Sequence, residues 1–296
     1  MFINTISEQT INKCFKNVNG TPLETDFIPK VRHFDLVFGK LEDRLKKQFA
    51  PLLKKNGSGE HEFNDFLQIL KSLKHNLLAT WYYYNNLLAH CRRIEMELKR
   101  EVVKYSDAVG GFTKSAPEIF FEFEAFLLKV KISLDNIACF LCNSITYKNN
   151  IHGIRELANV LTNFTKNTKP KKNIKALKLI KLINNNGWIN DFLSEKSDEA
   201  LRDKVVHRFK EGNAKFTINF NKIKGKWIVS PPFISFAPVF GSESLPPIYN
   251  EPKYRLKNTP GTLVIDRYSR NIMYGMLDIF ERSCLIQFGI DFVNFP

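Results

Sequence analysis

The sequence predicts a mainly α-helical fold that closes with a small β-hairpin, a proline-rich loop and a final helix. Apolar residues recur every three or four positions over a long stretch from Phe63 and over a second one from Ser115, which is typical of amphipathic helices. Apolar and polar residues alternate one by one from Phe216 to Asn221, which is typical of a strand. At 296 residues, the chain could form one large domain or two modest ones, and either could bury a full core; we predict a single domain, 1–296.

The two long helices should form the centre of the fold. The first is expected from Phe63 to about Tyr105, and Gly110-Gly111 should end it. The second begins at Ser115, which forms a capping box with Glu118. Two such helices joined by a short turn are expected to pack as an antiparallel hairpin.

Shorter elements complete the prediction. Lys224-Gly225 suits the turn of the hairpin, and seven prolines between residues 231 and 260 predict an irregular loop. The shorter helices are expected at about Phe34–Leu53, Ile154–Phe164, Ile174–Asn184, Trp188–Leu193, Asp198–Lys210 and Ser269–Phe288. The single domain then has an N-terminal helical segment (1–59), a helical bundle (60–212), and a hairpin, loop and last helix packed on the bundle (213–296).

The charge of the chain favours a polyanionic partner. Its net charge is +14 and its pI is about 9.5, which suits RNA, DNA or anionic lipid. The alternative is a composition bias, since a chain rich in Lys, Asn, Ile and Phe also arises from AT-rich coding.

The sequence further predicts a cytoplasmic protein that does not enter a membrane. The N-terminus does not resemble a signal peptide, and no apolar stretch approaches the ~18 residues of a membrane span. The five cysteines are scattered, which fits a reducing compartment. Cys139 and Cys142 form a C-x-x-C spacing, but without a second pair or clustered histidines we expect no metal site and no cofactor.

The most informative motif lies on the predicted helix Asp198–Lys210, for which Ser197 is a suitable N-cap. There Arg202 is followed by Asp203 and, five positions after the arginine, by His207. Arginine can stabilise negative charge on a phosphate, and histidine exchanges protons near pH 7. Metal-free RNA cleavage requires both of these properties.

A bundle led by two long helices and followed by a short helix with Arg-x4-His resembles the HEPN superfamily, over roughly residues 60–212. The resemblance implies an all-helical domain and a metal-independent endoribonuclease, of the kind found in toxin–antitoxin, abortive-infection and CRISPR-associated systems. Arg202 and His207 match the ends of the family's motif, and Asp203 matches its polar follower. Phe209 stands where one subgroup, the toxins paired with nucleotidyltransferase antitoxins, often has tyrosine, which argues against that subgroup.

The expected chemistry is attack by the RNA 2′-hydroxyl on the neighbouring phosphate. His207 would serve as base or acid, and Arg202 would hold the phosphate oxygens. Asp203, four residues before His207, would orient the imidazole or raise its pKa. Positions five apart on an ideal helix point ~140° apart, so one copy of the motif makes an awkward site. The resemblance implies two motifs facing each other, and we therefore predict a homodimer.

Weaker features have two interpretations each. A basic block from Lys148 to Lys181 could guide RNA toward the cleft or could be a solvated helix face; the residues singled out for RNA binding are Lys171, Lys172, Lys175, Lys204 and Arg208. Glu124, Lys131 and Asp135 could line the cleft, but a Lys131–Asp135 surface pair is the preferred interpretation. The aromatic run from Trp81 to Tyr84 is interpreted as packing rather than base stacking.

The motif has an alternative interpretation as well. His207 could belong to a structural network, with Arg202 and Asp203 as ordinary surface charges. The chain would then be a non-catalytic helical module that binds nucleic acid, a nucleotide or a protein, or a structural subunit without a specific ligand. A protein inhibitor or activator is a further possible partner.

Overall fold

The computed structural model describes residues 35–47, 59–102, 110–112, 117–146, 151, 153–167, 170–193, 215–223, 226–235 and 262–290. This part of the chain is mostly helical, as the sequence predicts. Its helices are α1 (35–47), α2 (Gly59–Val102), α3 (Pro117–Thr146), α4 (Ile154–Asn167), α5 (Pro170–Asn184), α6 (Gly187–Phe192) and α7 (Ile265–Phe288). Its strands are β1 (Gly110–Phe112), β2 (Lys215–Ile223), β3 (Lys226–Val229), β4 (Phe233–Ser235) and β5 (Thr262–Val264).

The described residues divide into two compact units, each assembled from separate pieces of the chain. Unit 1 comprises Met1–Trp81, Lys129–Asn186 and Met276–Pro296, and unit 2 comprises Tyr82–Leu128 and Gly187–Gly275. Helices α2, α3 and α7 therefore contribute residues to both units. The predicted division into segments 1–59, 60–212 and 213–296 has other boundaries than these units, and it stays a prediction.

The core of unit 1 is organised around Phe140 of α3, whose side chain is completely buried. Its ring lies 6.0 Å from that of Phe66 on α2 and 5.4 Å from that of Phe288 on α7, between ring centroids. Thr80 of α2 shares a 2.9 Å hydroxyl hydrogen bond with Ser133 of α3. Because the partner on α3 moves back from 140 to 133 as the position on α2 advances from 66 to 80, the two helices run antiparallel within this unit.

Helices α4 and α5 pack against each other in unit 1. Asn173 near the start of α5 donates a 2.8 Å hydrogen bond to the Thr165 carbonyl in the last turn of α4. This bond satisfies one of the carbonyls that a helix end leaves without an intrahelical partner. The buried side of α5 consists of Ala176, Leu179, Leu182 and Ile183.

Unit 2 combines helices with the sheet. Tyr84 of α2 lies 5.8 Å from Phe126 of α3, and Phe123 lies 6.4 Å from Tyr268 of α7, between ring centroids. The indole of Trp188 on α6 lies against Gly275 of α7, where an added Cβ would be only 2.6 Å from Nε1. Glycine at 275 is therefore a steric requirement of this close approach.

The sheet is centred on β2. Strand β2 pairs with β3 through Ile223↔Lys226, as the predicted hairpin requires, and its other half pairs with β4 through Thr217↔Phe233. Between the pairs Thr217↔Phe233 and Phe220↔Val229, the returning strand has one more residue than β2, which defines a bulge at 230–232. Two of these three residues are prolines, which lack the N–H that a regular ladder needs.

Three features differ from the predictions. Gly110 and Gly111, expected as a turn, form strand β1, which pairs with β2 through Gly110↔Phe220. Within the proline-rich stretch, expected to be irregular, residues 233–235 form β4, paired on both sides. The last helix begins at Ile265 rather than Ser269, because β5 leads directly into it and Asp266 complements the helix dipole in its first turn.

The end of α7 follows from its sequence. Gly289 adopts a φ of 68° and its N–H lies 2.9 Å from the Leu285 carbonyl oxygen. This is the left-handed conformation that favours glycine after the last helical residue.

Among the described helices, no segment combines the length and the hydropathy that crossing a bilayer requires.

Candidate functional site

The described residues place one half-buried carboxylate between two helices of unit 2. Asn86 of α2 is 2% exposed, and its side chain forms a hydrogen bond with Glu122 of α3. Burial raises the pKa of the Glu122 carboxyl, and the hydrogen bond from Asn86 opposes that shift. The second oxygen, Oε2, is buried and has no hydrogen-bond partner in the described structure. The carboxyl is therefore held in surroundings that favour its protonated form.

Two further buried polar residues of α2, Asn85 and His90, lie near Asn86 in the sequence. His90 lies four residues after Asn86, so the two side chains share one face of the helix. His90 is 8% exposed and Asn85 is 9% exposed. A carboxyl with a raised pKa beside buried polar side chains occurs at functional sites as well as in structural networks.

We expect Glu122→Gln to stabilise the protein near pH 7 and to have little effect below about pH 4. Below the ordinary glutamate pKa, the carboxyl is protonated in both the folded and the unfolded chain. As the pH rises, the unfolded chain ionises first, and burying the charge then costs stability that glutamine does not lose. Because the carboxyl is only half-buried, solvent screening reduces the effect, and the expected gain is about 0.5 kcal/mol or less. Urea unfolding at several pH values measures this gain.

Glu124→Gln is the matched control, since Glu124 lies two residues further along α3 and is partly exposed. The same loss of a charge at this residue should have a smaller effect on the stability near pH 7. Equal pH profiles for the two variants would show that burial at residue 122 is not the cause.

Arg202, Asp203, Lys204, His207 and Arg208 lie outside the described residues. The predicted helix Asp198–Lys210 also lies outside them. The convergence of Arg202 and His207 on one cleft therefore stays a prediction.

Lys171 and Lys172 fall on α5, but their side chains lie outside the description. Lys175 is exposed on the same helix, and its Nζ donates a 2.6 Å hydrogen bond to the Gln287 carbonyl. Gln287 lies in the last turn of α7, where carbonyls lack intrahelical partners and the helix dipole attracts a cation. Lys175 thus caps α7, a contact that spans 112 residues and that the local sequence pattern does not reveal.

The polar residues of α3 behave as the preferred interpretation predicts. Lys131 Nζ lies 2.6 Å from Asp135 Oδ2, four residues on, with both side chains partly exposed. Trp81 and Tyr84 are each 4% exposed, so the ends of the aromatic run are confirmed as packing residues. Neither feature presents a ligand site.

The two cysteines of the C-x-x-C spacing take part in hydrogen bonding and core packing. Cys139 donates through Sγ to the Ile151 carbonyl at 3.2 Å, and Cys142 is fully buried. Burial raises the pKa of the Cys139 thiol, which disfavours the thiolate that a metal would need. Within the described ranges, no three His, Cys, Asp or Glu side chains come together as metal ligands.

Asn86 and Glu122 form a polar pair between α2 and α3 that sequence reasoning missed. The available signal was a pair of asparagines, Asn85 and Asn86, within the apolar middle stretch of α2, and an acid between Phe121 and Phe123. A polar residue inside such a run is buried only when it finds a partner.

The comparisons do not assign the chain to a family. No protein-family model matches it, and neither does any curated protein or solved structure.

Proposed function

We propose that this protein is a metal-independent endoribonuclease of the HEPN type that acts as a homodimer. The observation that carries the proposal is the motif Arg202-Asp203-x3-His207. The mainly helical architecture and the net charge of +14 support it, since the first suits that superfamily and the second suits RNA. A part in defence or stress response rests on the resemblance alone.

The proposed reaction needs no group besides the protein and the RNA. Neutral His207 removes the proton of the 2′-hydroxyl, and the resulting oxygen attacks the adjacent phosphorus. Arg202 neutralises the charge that accumulates on the phosphorane oxygens. The bond to the 5′-oxygen breaks, this oxygen takes up a proton from a protonated His207, and a 2′,3′-cyclic phosphate and a 5′-hydroxyl remain.

Asp203 has a positioning part in this proposal. On a helix its carboxylate lies one turn before His207, where it could orient the imidazole and favour its protonated form. Two copies of the motif facing each other would give the phosphate cations from both sides, which a single helix does not provide.

A second function, of a different class, is a non-catalytic helical module that binds nucleic acid, a nucleotide or a protein. The exposed lysines Lys178 and Lys181 on α5 favour it, because a basic helix face can bind an anionic partner without any reaction. RNA cleavage that depends on the motif residues Arg202 and His207 distinguishes the two functions.

Incubation of the purified protein with single-stranded RNA in EDTA tests the proposed function. We expect cleavage, with 2′,3′-cyclic phosphate and 5′-hydroxyl ends identified by mass spectrometry. The control is a DNA strand of the same sequence, which lacks the 2′-hydroxyl and should remain intact. Binding of RNA without cleavage would favour the non-catalytic module, and cleavage of the DNA would exclude the proposed chemistry.

A further inference from the structure

One face of α5 exposes aliphatic and cationic side chains together. Ile174 is 55% exposed and Leu177 is 53% exposed, although both are large aliphatic residues. Lys178 and Lys181 are exposed on the same helix. Relative to Ile174, Leu177, Lys178 and Lys181 lie about 60°, 40° and 20° away around an ideal helix, so these four side chains share one face. We call these four residues the α5 face.

The charge of the α5 face is uncompensated within the described structure. Helix α5 contains no acidic residue. Neither Lys178 nor Lys181 forms an ion pair with the residues that the structure describes. Lys175, by contrast, is engaged with the Gln287 carbonyl and is not counted in this face. A partner with carboxylates would complement this charge.

The packing surface of α5 lies on other positions of the helix. Ala176, Leu179, Leu182 and Ile183 are buried and supply the packing surface toward the rest of the unit. Ile174 and Leu177 are left out of that surface. Their spacing of three residues is the spacing of anchors in helix-to-helix recognition.

We propose that the α5 face docks an acidic amphipathic helical segment of a partner protein. Aliphatic side chains of that segment cover Ile174 and Leu177, and its carboxylates pair with Lys178 and Lys181. The proposal does not depend on ribonuclease activity.

Two other anionic occupants fit the α5 face less well. RNA phosphates would pair with the lysines but would leave Ile174 and Leu177 in water. An anionic bilayer would bury Ile174, but Lys178 and Lys181 lie within about 40° of it around the helix, so insertion would draw both ammonium groups toward the hydrocarbon. A protein segment can place apolar and acidic groups side by side.

The test uses the full-length protein and a labelled helical peptide of glutamates and leucines, with leucines three and four positions apart, in fluorescence anisotropy. We expect binding that weakens as salt rises. Lys178→Glu with Lys181→Glu should weaken it at least about tenfold, and Ile174→Ser with Leu177→Ser should weaken it by about the same factor. Because all four side chains are exposed, these variants should keep the far-UV circular dichroism of the wild type.

The matched control for net charge is Lys47→Glu with Lys71→Glu, since both of these lysines are exposed and lie outside α5. This pair should weaken peptide binding by no more than about twofold. An equal loss from both charge reversals would overturn the proposal, because the overall field would then explain the binding. Retained peptide binding by the Ile174→Ser, Leu177→Ser variant would also overturn it. In that case, loss of binding to phosphatidylserine vesicles in the same variant would identify a membrane as the occupant, and loss of binding to a single-stranded RNA in the Lys178→Glu, Lys181→Glu variant would identify RNA.

Discussion

Replacement of His207 by alanine should abolish RNA cleavage while leaving the fold intact. In the proposed mechanism, this imidazole carries the proton to and from the reacting oxygens. Loss of such a group typically lowers a rate by about 10²–10⁴-fold. Initial rates on a fluorescent RNA substrate measure the loss, and circular dichroism and the urea unfolding midpoint check the fold. Retention of most of the rate by this variant would contradict the assignment of His207.

Mixing two inactive variants tests the predicted composite site. If each cleft takes its arginine and its histidine from different protomers, dimers formed from Arg202→Ala and His207→Ala chains contain one cleft with both groups. Partial recovery of cleavage on mixing is then expected, whereas neither variant alone should be active. Absence of recovery from a dimer shown to exchange its protomers would place the site within one chain.

The largest stability effect is expected from Phe140→Ala. The Phe140 ring is completely buried and contacts rings from both α2 and α7. Truncation to alanine leaves a cavity that the surrounding rings cannot fill, and the typical loss is about 3–5 kcal/mol. Chemical unfolding monitored by circular dichroism measures this loss.

Phe121→Ala is the control on the same helix. Phe121 is 64% exposed, and its truncation should change the stability by no more than about 0.5 kcal/mol. A loss at residue 121 as large as that at residue 140 would mean that burial does not determine the cost.

Helix positions could be predicted because the residues that a helix buries recur every three or four positions along its own sequence. Phe66, Leu70, Leu73 and Leu77 repeat at three or four residues, and all four are buried in α2. The alternation of apolar and polar residues at 216–221 likewise predicted a strand, and Phe216, Ile218 and Phe220 fall in β2. Each of these patterns is local.

Contacts between distant segments could not be predicted in this way. The sequence Gly110-Gly111 favours a turn. It forms a strand because it pairs with an edge of β2, more than 100 residues away in the chain. Lys175 looks like any solvated lysine until Gln287, 112 residues away, places its carbonyl within reach. Asn86 and Glu122 likewise acquire their meaning only when α2 and α3 are placed side by side.

The pairing of β1 with β2 has a practical consequence for preparing this protein. A chain cut after residue 212 would lose the strand that Gly110–Phe112 hydrogen-bonds to, the glycine that accommodates Trp188 and the acceptor that anchors Lys175. The resemblance covers roughly residues 60–212, but a fragment with those ends would lack these three contacts. We expect such a fragment to be less stable, so the proposed RNA cleavage should be assayed on all 296 residues.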